Sequence, residues 1–313
     1  MKKYLLLLLI LNCSILSAQD INKKAIVNKL ANLMNRNYVF PEKGQAMHDL
    51  IKKKLKDQAY DELNTKEDFA AALESDLRSV INDKHIRVTF SPDRAKAVQN
   101  RDRNGGRSIP ENFGFEEVRI LENNIGYLDL RGFMDAGMAE EVAKPAMDKL
   151  IKADAIIFDL RKNGGGSPSM IRFISSYIFG NKPVHLNTFY WRPADEYSET
   201  WTDSSLASQT KPDIPIYVLT SDYTFSAAEE FTYNLKHLKR ATIIGETTGG
   251  GAHPGGPMVI RDGFIVNVPQ GRAINPVTKT NWEGVGVIPN INISADDALD
   301  HALELAKKAI KAK

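Results

Sequence analysis

Apolar positions recur at helical spacing through the first quarter of the chain. Ile26, Leu30 and Leu33 form one stripe, which Tyr38-Val-Phe-Pro41 interrupts. Met47, Leu50, Ile51 and Leu55 form a second. Phe69, Leu73, Leu77 and Ile81 form a third, opened by Thr65 and Asp68 in the manner of a capping box. Three short amphipathic helices predict a small bundle. The period then changes from helical to alternating. Ile86, Val88 and Phe90 alternate as in a half-buried strand, with His85 at its mouth.

Residues 91–112 are rich in charge, glycine and proline and predict a mobile linker, too short to hold another folded domain. Beyond it, apolar runs at 125–130, 155–160, 216–219 and 241–245 read as strands. Helical segments at 136–151, 168–179 and 227–238 alternate with them. Alternation of this kind predicts an α/β fold with a largely parallel sheet and ligands bound beyond the strand ends. Residues 263–269 and 285–293 predict further strands. Ser294 caps a last helix, with Asp296 and Asp297 in its first turn and lysines in its last. No internal repeat is present. The expected division is a signal peptide at 1–18, a helical subdomain at 19–82 and a catalytic domain at 83–313.

The first eighteen residues change the picture of where the protein works. A basic start, an apolar run and Ser14-Ile-Leu-Ser-Ala18 predict a signal peptide cut after Ala18, and so an exported, periplasmic or secreted protein. The run is too short to span a bilayer, which takes ~20 residues, and no later stretch qualifies. Cys13 is the only cysteine. Asn12 before it is larger than a lipidation site prefers, so a lipid anchor at Cys13 is not expected. Without Cys13 the mature chain has no disulfide, cysteine nucleophile or thiolate metal site. The formal charge of +2 includes Lys2 and Lys3, and no basic stripe predicts a nucleic-acid partner. The clusters at Lys52–Lys54 and Lys307–Lys308 read as solvated helix faces.

Candidate chemistry centres on Ser226, where the strand ending at Leu219 turns into the helix opening at Ala227. A hydroxyl on that corner lies near unpaired helix N–H groups that favour developing negative charge. The same position also suits a serine that only caps the helix. Gly164–Gly166 again lies between a strand and a helix. No Lys-Ser or Lys-Thr pair follows it and its spacing fails the dinucleotide fingerprint, which leaves an oxyanion hole or a tight turn. A serine nucleophile needs a base and a group to orient that base. Of six histidines, His85 and His253 occupy loop-like positions; His48, His185, His237 and His301 read as structural or surface residues. Glu283, between Trp282 and Gly284, is a candidate orienting acid or a turn acid. Glu229 and Glu230 read as residues that cap the helix dipole or face solvent.

In order, these segments resemble the tail-specific, or C-terminal-processing, serine peptidase superfamily. They are His85, Asp159-Leu-Arg-Lys-Asn-Gly-Gly-Gly166, Thr224-Phe-Ser-Ala-Ala-Glu-Glu-Phe231, Gly245-Glu-Thr-Thr-Gly-Gly-Gly251 and Glu283-Gly-Val-Gly-Val-Ile-Pro289. The resemblance implies a crotonase- or ClpP-like core with a mostly parallel sheet, preceded by a small three-helix subdomain. It also separates branches. Relatives with a Ser-Lys dyad carry their lysine where this chain has Gly251, and they carry a PDZ domain for which 91–112 has no room. The similarity is therefore to the branch of the tricorn core and the interphotoreceptor retinoid-binding protein. Carried over, it implies Ser226 as nucleophile, His85 as base and Glu283 as orienter. Gly164 or Gly165 and the Ala227 amide would form the oxyanion hole. Lys84 stands where the tricorn protease has a serine, so Glu283 would reach His85 directly or through water; His253 and Lys84 are the secondary base candidates. No metal or organic cofactor is implied, and the substrate would be a peptide or protein. The alternative on this fold is a non-catalytic binder of an apolar ligand or peptide. Self-association into a homo-oligomer stays open.

Overall fold

The computed structural model describes residues 21–100 and 109–312. The expected signal peptide and Cys13 lie outside the described residues. The chain opens with α1 (Lys23–Asn37), α2 (Pro41–Lys56) and α3 (Lys66–Val80). The Asn22 side chain caps α1 through the Ala25 N–H, Pro41 sits in the first turn of α2, and the Thr65 hydroxyl accepts the Asp68 N–H at 3.0 Å to start α3. β1 (Arg87–Phe90) follows, and then α4 (Pro92–Gln99). That helix corrects the expected linker over part of its length. Pro92 is pre-set for a first helical turn and Ala95 is buried, although the composition reads as loop.

Next come β2 (Phe115–Leu121), β3 (Ile125–Leu130), α5 (Ala136–Leu150), β4 (Ala155–Asp159) and α6 (Pro168–Ile178). β5 (His185–Trp191), β6 (Glu196–Trp201), β7 (Ile216–Thr220), α7 (Ala227–His237) and β8 (Thr242–Gly245) continue the chain. β9 (Gly255–Arg261), β10 (Phe264–Pro269), β11 (Gly271–Ile274), β12 (Ile291–Asn292) and α8 (Ala298–Lys311) end it. The central sheet runs β12-β8-β7-β4-β3-β2 and is parallel except for β2, which pairs antiparallel with β3. Alternation sorts its side chains between two layers. Leu128, Ile156, Phe158 and Val218 pack with α5, α6 and α7, while Tyr127, Ile157, Tyr217 and Leu219 pack under α8. Both faces are covered, which is why these strands read as unbroken apolar runs.

Two smaller sheets build the cleft. β1-β10-β9 is antiparallel, and α1–α3 close over it to share one core, in which Ile26, Leu73, Val88 and Val266 meet. The core therefore runs across the boundary expected at residue 82. β11-β5-β6 forms the third sheet. Of the strand expected at 285–293 only Ile291–Asn292 pairs, because Gly284 and Gly286 take positive φ (72° and 75°) and turn the chain. The last helix starts later than expected: Asp297 is its N-cap, and the Ser294 hydroxyl donates to the Asp297 carboxylate at 2.6 Å. Among the described residues no helix is long and apolar enough to cross a membrane.

Candidate active site

Ser226 occupies the N-cap position of α7 with φ 56° and ψ −119°. A non-glycine residue in that region carries strain of about 1–3 kcal/mol, tolerable only where the surroundings over-determine it. Here they do. The Ser226 N–H donates to Glu229 Oε2 at 2.8 Å, and the Phe225 N–H donates to the Asn163 carbonyl at 3.1 Å. The Thr224 hydroxyl donates to the Leu160 carbonyl at 2.9 Å, which ties the turn after β7 to the end of β4. The Ser226 hydroxyl faces His85, with 3.0 Å between Oγ and Nε2.

His85 precedes β1. Its own N–H donates to Asp83 Oδ1 at 2.9 Å, its carbonyl accepts from the Asn267 amide at 2.8 Å, and its ring lies against Phe225 with centroids 4.7 Å apart. His85 Nδ1 is buried without a hydrogen-bond partner, and Asp83 Oδ1 is 3.7 Å from it. Asp83 is fully buried. Its Oδ2 accepts from the Tyr38 hydroxyl at 3.0 Å and lies 2.8 Å from His253 Nδ1. Glu283 comes after that, with Oε2 3.5 Å from His253 Nδ1 and accepting the Ala252 N–H at 2.6 Å. The carboxylate beside the His85 ring is thus Asp83. Glu283 makes its contacts with Ala252 and with His253 Nδ1, which Asp83 also approaches; of the contact with His85 that was expected, direct or through water, the direct form is not made.

The electrostatics follow this order. Burial alone would push Asp83 up, but the hydrogen bond from His253 and the charge of His253 and His85 outweigh it and hold the carboxyl well below its usual range. Glu283 is raised, first by burial and then by the Asp83 charge. Asp83, His253 and Glu283 bring their ligand-type atoms within 4.8 Å of one another, as a cation site would. Asp83 is already engaged by Tyr38 and His253, and Glu283 by the Ala252 N–H. Asp83 is the residue that sequence reasoning missed. Its signal was present, since an aspartate two residues before His85 can accept the His85 N–H and form a tight turn, as it does here.

Glu229 and Glu230 do not face solvent: they are 0 % and 3 % exposed. Glu229 Oε1 accepts from the Thr248 hydroxyl and the Gly250 N–H, and Oε2 from the Gly251 and Ser226 N–H groups. One carboxylate therefore locks the Ser226 backbone to the glycine loop, although burial raises its affinity for a proton. A Cβ at Gly251 would lie 2.3 Å from Phe225 Cζ and 2.7 Å from His85 Cε1. The His85 ring thus fills the space that a side chain at 251 would need. Lys84 is exposed at the same cleft, and its amine donates to the Gly249 carbonyl at 2.6 Å.

Around Ser226 the backbone supplies donors. Ala227 is the first residue of α7, and neither its N–H nor that of Gly164 has an acceptor among the described residues. The Gly165 N–H instead donates to Asn163 Oδ1 at 2.9 Å. Gly165 has φ 108°, and a Cβ there would lie 2.8 Å from Ser226 Cβ, so this glycine lets the loop approach the nucleophile. Ser226, His85, Gly164 and Ala227 open onto a cleft of about 500 Å³, whose other walls include Phe189, Trp191 and Trp282.

Comparison with known proteins gives concordant results. Residues 124–293 match the model of peptidase family S41, and residues 14–116 match the N-terminal domain of peptidase S41 in eukaryotic IRBP. A tail-specific protease of Haemophilus influenzae is 30% identical over 134 residues, which cover 42% of this chain and 18% of that protein. The chain thus spans under a fifth of that relative's length. A candidate peptidase of Parabacteroides merdae superposes with a TM-score of 0.64 at 19% identity, covering 92% of this chain and 97% of the other. The photosystem II D1 C-terminal processing protease gives 0.57 at 16% identity over 88% and 94%. At such identities the structural likeness establishes the fold.

Proposed function

The chain belongs to peptidase family S41, and from that premise we propose that it is an exported serine peptidase acting on peptides or proteins. The observation that carries the reading is the 3.0 Å approach of Ser226 Oγ to His85 Nε2 on a strained, fully braced backbone corner. Ser226 Oγ attacks the peptide carbonyl carbon while its proton passes to His85 Nε2. The negative charge that forms on the carbonyl oxygen is met by the Ala227 and Gly164 N–H groups, with Gly165 shaping the approach. The tetrahedral adduct collapses as the C–N bond breaks, and His85 returns the proton to the leaving nitrogen. Water then attacks the acyl-enzyme with His85 again taking a proton, which releases the acid and Ser226.

Asp83 holds the imidazole and stabilises its positive charge once Nδ1 draws in from 3.7 Å. Tyr38 and His253 hold Asp83 in turn, and Glu283 lies 3.5 Å from the same His253 nitrogen. The basic, apolar start ending at Ala18 supports export. A serine-directed fluorophosphonate probe tests the reading. Labelling of the wild type that is lost in Ser226→Ala and in His85→Ala is expected. A folded protein that stays unlabelled would leave this fold serving as a ligand binder.

A further inference from the structure

Glu230 is an acidic group in the cleft that the reaction above does not use. It lies one helical turn beyond Ser226 on α7, lines the same cleft and is only 3 % exposed. Its Oε1 has no hydrogen-bond partner. Across from it, alternation along β5 sets Asn187, Phe189 and Trp191 on one face. Phe189 and Trp191 line the cleft, and Asn187 is fully buried with its own amide nitrogen unpartnered. Arg272 is on β11 next to this strand, but it pairs with Tyr190 and its guanidinium lies over that ring, on the opposite face. Among the described residues, no lysine or arginine is placed in an ion pair with the Glu230 carboxyl. Burial raises its pKa to about 8, opposed only by the Asn187 amide.

A buried carboxyl without a charge partner keeps its proton, and it ionises only when a cation comes beside it. Four residues along a helix place it about 6 Å from Ser226 along the axis, a span suited to a long side chain entering beside the nucleophile. The wall between them is aromatic, with Phe189, Trp191 and Trp282, and aromatic faces stabilise a desolvated ammonium or guanidinium.

We propose that Glu230 is a specificity residue. It closes the subsite that takes the side chain of the residue whose carbonyl Ser226 attacks, and it selects lysine or arginine there. The proposal rests on the peptidase reading above. An incoming cation gives the carboxyl the partner it lacks, and arginine could bind both of its oxygens. A leucine or norleucine side chain leaves it unpaired.

The test uses fluorogenic tripeptides that differ only in the residue before the scissile bond: lysine, arginine, norleucine, leucine or glutamate. Norleucine matches the length of lysine without its charge. The wild type should favour lysine over norleucine by at least ~30-fold in kcat/KM, the lower end for a buried charge pair. Glu230→Gln should bring that ratio close to one while norleucine cleavage changes by less than about 3-fold. A wild type that prefers norleucine, leucine or glutamate overturns the proposal, even if the variant does not fold. So does a lysine preference that survives Glu230→Gln. Ser226-dependent fluorophosphonate labelling without lysine preference sinks the subsite alone and leaves the peptidase standing. If no labelling occurs, the peptidase reading fails, and binding to the Ser226→Ala protein decides the subsite. Calorimetry with acetylated tripeptides ending in lysine or norleucine then supports it by at least ~10-fold tighter lysine binding, lost on adding Glu230→Gln. Equal affinities overturn it.

Discussion

Adding a single methyl group at Gly251 tests the architecture of the site most sharply. The new Cβ would stand 2.3 Å and 2.5 Å from Phe225 ring carbons and 2.7 Å from His85 Cε1. Carbon atoms rest at about 3.5 Å or more, so the His85 ring must retreat by roughly 0.8 Å and the Phe225 ring by more. His85 Nε2 begins 3.0 Å from Ser226 Oγ, and a retreat of that size removes the hydrogen bond. The backbone cannot give way instead, because the Gly251 N–H is held by Glu229, which also holds the Ser226 N–H. A misplacement of about 1 Å costs on the order of 10²-fold in rate, and overpacking of this kind costs about 1–3 kcal/mol of stability. Gly251→Ala should therefore lower kcat by about 10²-fold with a modest loss of thermal stability. Steady-state kinetics on a fluorogenic peptide together with scanning calorimetry would measure both. Gly251→Lys should be at least as inactive, since a lysine there collides with the histidine that replaces it as base. Turnover within about 3-fold of wild type for Gly251→Ala would refute the argument, since the ring would then have somewhere to go.

Asp83→Asn should reduce kcat by ~10³–10⁴-fold, because an amide can hold the imidazole but cannot stabilise its charge; Glu283→Gln, two contacts further away, should cost much less, and the reverse ranking in single-turnover assays would return the orienting role to Glu283. Gly165→Val should lower kcat by about 10²-fold with little change in KM, because a Cβ there stands 2.8 Å from Ser226 Cβ and pushes the loop, with the Gly164 N–H, off the oxyanion; equal losses in both would make the loop a binding element. Stability should also fall with rising pH on account of Glu230. Its folded pKa of about 8 lies above the usual carboxyl value of ~4.3, so the folded state keeps a proton that the unfolded chain gives up. That contribution is complete below pH ~4.3 and is lost at about 1.4 kcal/mol per unit up to pH 8. Glu230→Gln should flatten this slope in denaturant titrations across that range, and parallel slopes would count against it.

Much of the molecule is legible in the linear pattern because it depends on local periodicity. The parallel strands β3, β4, β7 and β8 are buried on both faces and so appear as apolar runs, while α5, α6 and α7 show their stripes between them. Ser226 and His85 were also readable, the first from a strand-to-helix corner and the second from a strand mouth. Their 3.0 Å approach was not, since 141 residues separate them and only the docking of β1 against β10 brings His85 beside α7. The short strands β2, β5, β6, β9 and β11 gave no clear period, because they exist through pairing with distant partners. Helix α4 was hidden by a composition typical of loops.

Charge placement divides along the same line. Residue type made Glu283 an attractive acid, but folding set Asp83 against the His85 ring and placed Glu283 beside His253 Nδ1, which Asp83 also approaches. Glu229 and Glu230 carry the residue type most often found on helix surfaces, and one became the brace of the nucleophile while the other was buried unpaired in the cleft. A linear pattern records which groups a chain owns and the period at which they recur. Burial and charge partners depend on contacts between segments far apart in sequence, so only the folded chain decides which carboxyl lies against His85, which braces Ser226 and which is buried in the cleft.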